Sequence, residues 1–171
     1  MGLFAILAEA LRYPNPSRLD QLDGLSADLP SGSIKNAFED FLDGIRALDL
    51  GAWEELHTRT LDLNPPAAPY IGYQTWGDSY QRGSFLSMMS RALETYQVET
   101  EGELPDHLIP VLRLLDRLEE PFSELQEVLD KAIERIRTGL SNADPENPYV
   151  ALIDAISLAC KEERALSSQR Y

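Results

Sequence analysis

The chain has 171 residues, 43% of them hydrophobic and 26% charged, a globular composition long enough to bury one sizeable core. A formal net charge of −14 and a sequence pI near 4.4 argue against nucleic acid, whose phosphates need a basic surface, and against anionic membranes. The single cysteine, Cys160, excludes an internal disulfide and a multi-cysteine metal site; a chain that does without disulfides fits the cytoplasm, the expected location.

In chain order, the apolar start Met1 to Glu9 lacks a basic leader region and a small-residue cleavage site, so it reads as a first helix, ended by Pro14 and Pro16. Gly2 is not followed by the Ser or Thr of a myristoylation motif. A short second helix stops at Pro30-Ser31-Gly32-Ser33. Ile34, Ala37, Phe38, Phe41, Leu42, Ile45 and Leu48 then step by three or four, the stripe of an amphipathic helix. A further helix carries Trp53 and His57 and ends at Asn64-Pro65-Pro66. Residues 64–77 are read as irregular because prolines and glycines interrupt them. Asp78 is the expected N-cap of a long Met-rich helix with Phe85, Leu86, Met89, Ala92, Leu93 and Tyr96 on its apolar face. Val111, Leu112, Leu114, Leu115 and Leu118 mark the next. Pro121 is expected in the first turn of the helix carrying Phe122, Leu125, Val128, Leu129, Ala132, Ile133 and Ile136. After the loop at 142–148 comes the last stripe, Tyr149, Val150, Leu152, Ile153, Ile156 and Cys160, where a small buried thiol is expected. No two-residue alternation bounded by turns occurs, so the chain reads as all-α: a single-domain bundle of about seven helices over 1–171. No apolar run reaches the ~18 to 20 residues that cross a bilayer, so no direct membrane insertion is expected.

Two stretches invite a functional reading. Tyr70, Tyr73 and Trp76 lie among prolines and glycines; such aromatics either pack onto their own domain or line a groove for an apolar segment. In Glu103-Leu104-Pro105-Asp106-His107-Leu108, the prolines at 105 and 110 constrain the chain on both sides of Asp106 and His107. Helix is expected to begin near Pro110, with Asp106 capping its positive end. An imidazole beside a carboxylate in such a turn can equally receive a polar or cationic ligand. His57 and His107 are the only histidines and have no metalloprotease spacing, and no nucleophile elbow, phosphate loop or dinucleotide fingerprint is present. No enzymatic activity and no cofactor or metal are expected.

Glu103 to Leu108, followed by Val111-Leu112-Arg113-Leu114-Leu115, resembles the signature of the redox enzyme maturation chaperones, the NarJ, TorD and DmsD proteins that assist molybdenum oxidoreductases. Gly77-Asp78, Arg82-Gly83 and the apolar helix after them resemble the pattern of the NarJ-type nitrate reductase delta subunits, the nearest group. Leu61-Asp62-Leu63 resembles that group's Phe-Asp-Leu, and Ala10-Leu11-Arg12-Tyr13-Pro14 its opening Leu-x-Tyr-Pro. The similarity runs in order from about residue 8 to 118. The Pro65 to Tyr70 loop is closer to the TorD branch, and a glycine usual after the Tyr96 helix is absent.

The resemblance implies a TorD/NarJ-like fold and a non-enzymatic task. Such a chaperone binds the N-terminal leader of a molybdopterin oxidoreductase catalytic subunit, often of twin-arginine type. It holds that subunit until the molybdenum cofactor is inserted, before export or membrane attachment. A leader that pairs basic with apolar residues suits an acidic protein with an aromatic groove. Asp106 is accordingly expected to meet a leader arginine, with Glu103 and Pro105 beside it and His107 shaping the same site. Tyr70, Tyr73, Trp76 and Tyr80 would face the apolar part; Gly83 would permit close helix packing and Arg82 would pair internally. Either a monomer or a dimer is compatible. The competing readings are an acidic helical adaptor without leader recognition and a small hydrolase or metal enzyme using His57 and His107.

Overall fold

Each apolar stripe becomes a helix that buries its apolar residues, on one face in Ser33–Arg46 and on nearly all sides in Leu108–Leu115. The structure, a computed structural model, describes residues 1–170. Nine α-helices occur among them: α1 (Leu3–Ala10), α2 (Arg18–Ala27), α3 (Ser33–Arg46), α4 (Leu50–His57), α5 (Ile71–Trp76), α6 (Tyr80–Thr95), α7 (Leu108–Leu115), α8 (Ser123–Ala143) and α9 (Pro148–Ser168). A π-helical turn, Thr58–Asp62, prolongs α4, and a 3₁₀ turn spans Pro65–Ala67. The described residues contain no strand, only one isolated bridge. None of the described helices is long and apolar enough to cross a membrane.

The core is organised around α9, which packs on α1, α3 and α8. Tyr149, Leu152, Ile153, Ala155, Ile156 and Ala159 on α9 meet Ile34, Phe38, Phe41, Leu42 and Ile45 on α3 in the same buried cluster. Burial of each large apolar side chain contributes about 1.5–3 kcal/mol, which outweighs the weak intrinsic preference of any one helix. Tyr149 is fully buried, so its hydroxyl needs a partner; it accepts the Trp53 indole N–H at 3.1 Å, and its ring lies 5.2 Å from Phe41. Cys160 is 9% exposed, as expected of a small buried thiol, and burial pushes its pKa up to about 12.

The structure corrects the predicted elements at four points. There are nine helices rather than about seven. One of the additional helices, α5, lies inside 64–77, because Pro65, Pro66 and Pro69 all precede it and only Gly72 interrupts Ile71–Trp76. It stops at Gly77, whose φ of 62° is readily adopted by glycine. Asp78 is not the cap of α6: Ser79 holds that position without a side-chain bond, and Asp78 pairs with Arg82 at 3.1 Å. Pro121 lies before α8, whose cap position is taken by extended Phe122, with Glu124 at the dipole's positive end.

Candidate functional site

Two segments far apart in sequence meet at the site, and each enters its helix through one extended residue that follows a proline-containing turn. Tyr70 follows Pro69 and is the N-cap residue of α5; His107 follows Pro105-Asp106 and is the N-cap residue of α7. The first N–H of a helix has no partner within the helix. Here each helix supplies the other's: Ile71 N–H donates to the Asp106 carbonyl at 2.9 Å, and Leu108 N–H to the Pro69 carbonyl at 2.8 Å. The result is an antiparallel bridge between Tyr70 and His107, through which two helix starts cap one another. His107 adds a further bond, its Nδ1 accepting from Ile109 N–H at 3.0 Å.

Above this bridge stand most of the residues expected to form a site. The Tyr70 ring meets the His107 imidazole edge-on at 5.0 Å, and its hydroxyl donates to Glu103 Oε2 at 2.8 Å. Burial, and then the Glu103 carboxylate, push the Tyr70 pKa up to about 12. Asp106 is fully buried, and Arg82 takes both its oxygens, Nε donating at 3.0 Å and Nη2 at 3.3 Å. The same guanidinium lies 5.7 Å from the Tyr70 ring and 5.5 Å from that of Tyr73. Gly72 permits this approach, since a Cβ there would sit 2.7 Å from Asp106 Oδ2.

Several expected roles change. Asp106 does not cap α7, a task that His107 performs, and in this structure its carboxylate is filled by Arg82. The proline at 110 does not delay α7, which starts at Leu108 and tolerates Pro110 in its first turn. Trp76 does not line an open groove but packs half-buried on Phe85 at 5.3 Å. Tyr80 is 88% exposed at the start of α6. Gly83 packs against nothing: the space around its Cβ position is open. Arg82 does pair internally. Pro105 is half-buried beside Asp106.

Other parts of the site are missed by sequence reading. The π turn ends in Asp62 and Leu63, and Asp62 acts electrostatically on both Tyr70 and His107. Leu63 and Leu104 are 72% and 48% exposed. Tyr13, also exposed, sits edge-on to His57 at 5.2 Å, and His57 lies within electrostatic reach of His107. The sequence does carry a signal for them, in the motifs Leu61-Asp62-Leu63 and Tyr13-Pro14. What it lacks is the third dimension. A second network is equally invisible in sequence. Glu9 on α1 accepts from Arg12 and Arg18 at 3.2 Å each and from Arg113 on α7 at 2.9 Å, and Glu101 binds Arg113 at 2.6 Å. Glu101 has a left-handed φ of 54°, and this clamp holds it there, tying the segment that leads to Glu103 onto α1 and α7.

The two histidines do not form a metal centre: among the described residues no group of three or more His, Cys, Asp or Glu is placed to hold an ion. His57 donates through Nε2 to the Leu11 carbonyl at 3.1 Å, a packing role between Tyr13 and Tyr149.

His107 sets a pH response. Burial, the largest influence, holds its pKa below the ordinary histidine value, against the opposing pull of Glu103, Asp106 and Asp62. The unfolded chain therefore takes up a proton at a higher pH than the folded one. The stability that neutral His107 contributes is fully present above pH ~6.5 and is lost as pH falls below it. Protonation also removes the Nδ1 acceptor from Ile109 N–H. Melting temperatures measured from pH 7.5 down to 5.5 (about one unit either side of that value) are expected to fall. His107→Asn, which keeps a capping acceptor but does not titrate, should flatten the decline.

The chain matches no protein-family model, and no curated protein is matched by it.

Proposed function

We propose that this chain is a non-enzymatic assembly chaperone that binds the leader region of a molybdenum oxidoreductase catalytic subunit and keeps it competent for cofactor insertion, before export or membrane attachment, in the cytoplasm. The observation that carries the reading is a meeting of motifs. Arg82 and the Glu103 to Leu108 segment, which bear the resemblance in sequence, converge with Tyr70 on one bridge in the fold.

The surface that first meets the peptide in this reading is the rim of that bridge. Among the described residues, Asp62 and Glu103 carry carboxylates with no salt bridge to a cation, in a chain of net charge −14. Leu63 and Leu104, their neighbours in the chain, expose apolar surface. Unmatched carboxylates next to exposed leucines suit a peptide that pairs basic with apolar residues. Asp106 and His107 hold the rim in shape from beneath. Tyr73 and Trp76 support it through Arg82 and Phe85, and Tyr80 extends exposed aromatic surface at the start of α6.

Titration calorimetry with a synthetic leader peptide tests this. The dissociation constant should rise with salt, since the attraction is partly ionic and exposed. The double variant Asp62→Asn/Glu103→Gln should weaken binding about tenfold, because it removes two surface carboxylates that would meet the basic residues of the peptide. Binding that ignores both salt and the double variant sinks the assignment. Equal binding of an apolar helical peptide without basic residues favours the adaptor reading.

A further inference from the structure

Arg82 sits in surroundings that suit a guanidinium as a ligand. Asp106 presents both oxygens to its fork, Tyr70 and Tyr73 flank it with ring faces, and Asp78 takes the remaining Nη1 at 3.1 Å. A bidentate carboxylate between aromatic rings is how proteins recognise an arginine from another chain. Asp106 and the two tyrosines belong to the bridge and to α5, which packs on α8, whereas the occupant arrives on α6.

That helix is held lightly at its start. It packs on α5 and α7, and only Phe85, Met89 and Leu93 of its sixteen residues are buried. Its first turn has no side-chain cap, and the buried Ser79 hydroxyl just before it has no partner. The chain enters through Gly77, where φ is 62° and no atom crowds the Cβ position, and Asp78 is 86% exposed. Beyond Gly77, the polar anchor of this turn to the rest of the fold is Arg82, whose side chain is 12% exposed.

We infer that the cage is a guanidinium receptor occupied by the protein's own Arg82, a resident stand-in that an arginine of the bound segment replaces when the first turn of α6 swings out on Gly77. The identity of the entering arginine rests on the leader-peptide reading; the receptor itself does not. Exchange of one guanidinium for another keeps the buried Asp106 paired throughout, so the penalty of an orphaned buried charge is avoided. Lysine cannot substitute, because a point donor lacks the fork that spans both oxygens. The site therefore selects arginine over lysine and stays closed in the free protein.

The test has two arms. In the first, R82A is melted with millimolar methylguanidinium chloride and, as control, tetramethylammonium chloride. Methylguanidinium should raise the R82A melting temperature by about 3–5 °C over the control, through binding to the folded state alone. Wild type, whose cage is full, and R82A/D106N, whose cage has no carboxylate, should show no such rise. If R82A is unfolded alone, helical circular dichroism replaces melting, and recovery of helix with methylguanidinium only counts as the same result. Absence of a methylguanidinium-specific response in both readouts overturns the receptor. In the second arm, leader-type peptides carrying arginine or lysine are compared on wild type. Arginine should bind about tenfold more tightly, a gap of the size that a missing charge-assisted fork makes, and R82A/D106N should erase it. Equal binding of the two peptides leaves leader recognition standing and overturns the exchange. Failure of both peptides with methylguanidinium rescue intact removes the leader reading and keeps the receptor.

Discussion

Alanine in place of Arg82 is expected to cost about 3–5 kcal/mol of folding stability, the range for breaking a buried ion pair from one side. That is a large fraction of the ~5–15 kcal/mol that a domain of this kind possesses. The reason lies with the residue that remains. Asp106 is fully buried, and its oxygens have Arg82 as their side-chain partner. Removing the guanidinium leaves a buried carboxylate without its counter-charge. Replacing Asp106 by asparagine in the same chain removes that charge, so R82A/D106N should be more stable than R82A. Urea unfolding of wild type, both single variants and the double variant gives the coupling energy directly. Strictly additive costs from the two single variants would falsify the pair as a unit. Because Asp106 carries the carbonyl that accepts from Ile71 N–H, the loss should also loosen the bridge.

The second large effect concerns two glycines with opposite outcomes. Gly72→Val places side-chain atoms against Asp106 Oδ2 at 2.7 Å, the Phe85 ring at 3.1 Å and Arg82 Cγ at 3.3 Å from the first carbon alone. None of these neighbours is free to retreat, since two form the buried pair and the third packs on Trp76. Overpacking of this kind costs about 1–3 kcal/mol, and displacement of Asp106 brings the total to roughly 3 kcal/mol or more. Gly83 is in the same region of sequence but has open space around it and lies within α6. Gly83→Ala should therefore stabilise by about 0.5–1 kcal/mol, by restricting the unfolded chain and favouring helix. Thermal melts of the two variants should shift in opposite directions. A neutral Gly72→Val would mean that the cage is looser than its distances show.

The legible and the illegible parts of this molecule differ in kind. The stripe of Ile34, Phe38, Phe41, Leu42 and Ile45 can be read as a helix because its information is local: one face, one period, one environment. The same holds for α8 and α9. Over 64–77 the proline and glycine content misleads, because it describes the stretch as a whole, whereas the six residues of α5 begin after the last proline. Asp106 misleads in another way, as a cap. A short acidic residue before a helix is a sound local cap, but a bidentate arginine 24 residues upstream offers it a better partner. His107, a poor cap by propensity, takes the vacant role because the bridge fixes its backbone there. Gly83 belongs to a motif and Gly72 to none, although of the two only Gly72 sits where a side chain cannot fit.

Residue type and spacing alone make this chain helical, acidic, free of internal disulfides and built around amphipathic faces, and they set out the motif residues in order. They do not say which of those residues meet. That Tyr70 and His107 cap one another's helices, that Arg82 fills Asp106, and that Asp62 and Glu103 act on the same bridge follows from packing in three dimensions. Hydrogen-bond partners and counter-charges are chosen among all groups the fold brings near, in a low-dielectric interior where an unpaired group is costly. Spacing along the chain records which groups are available; packing selects which of them meet.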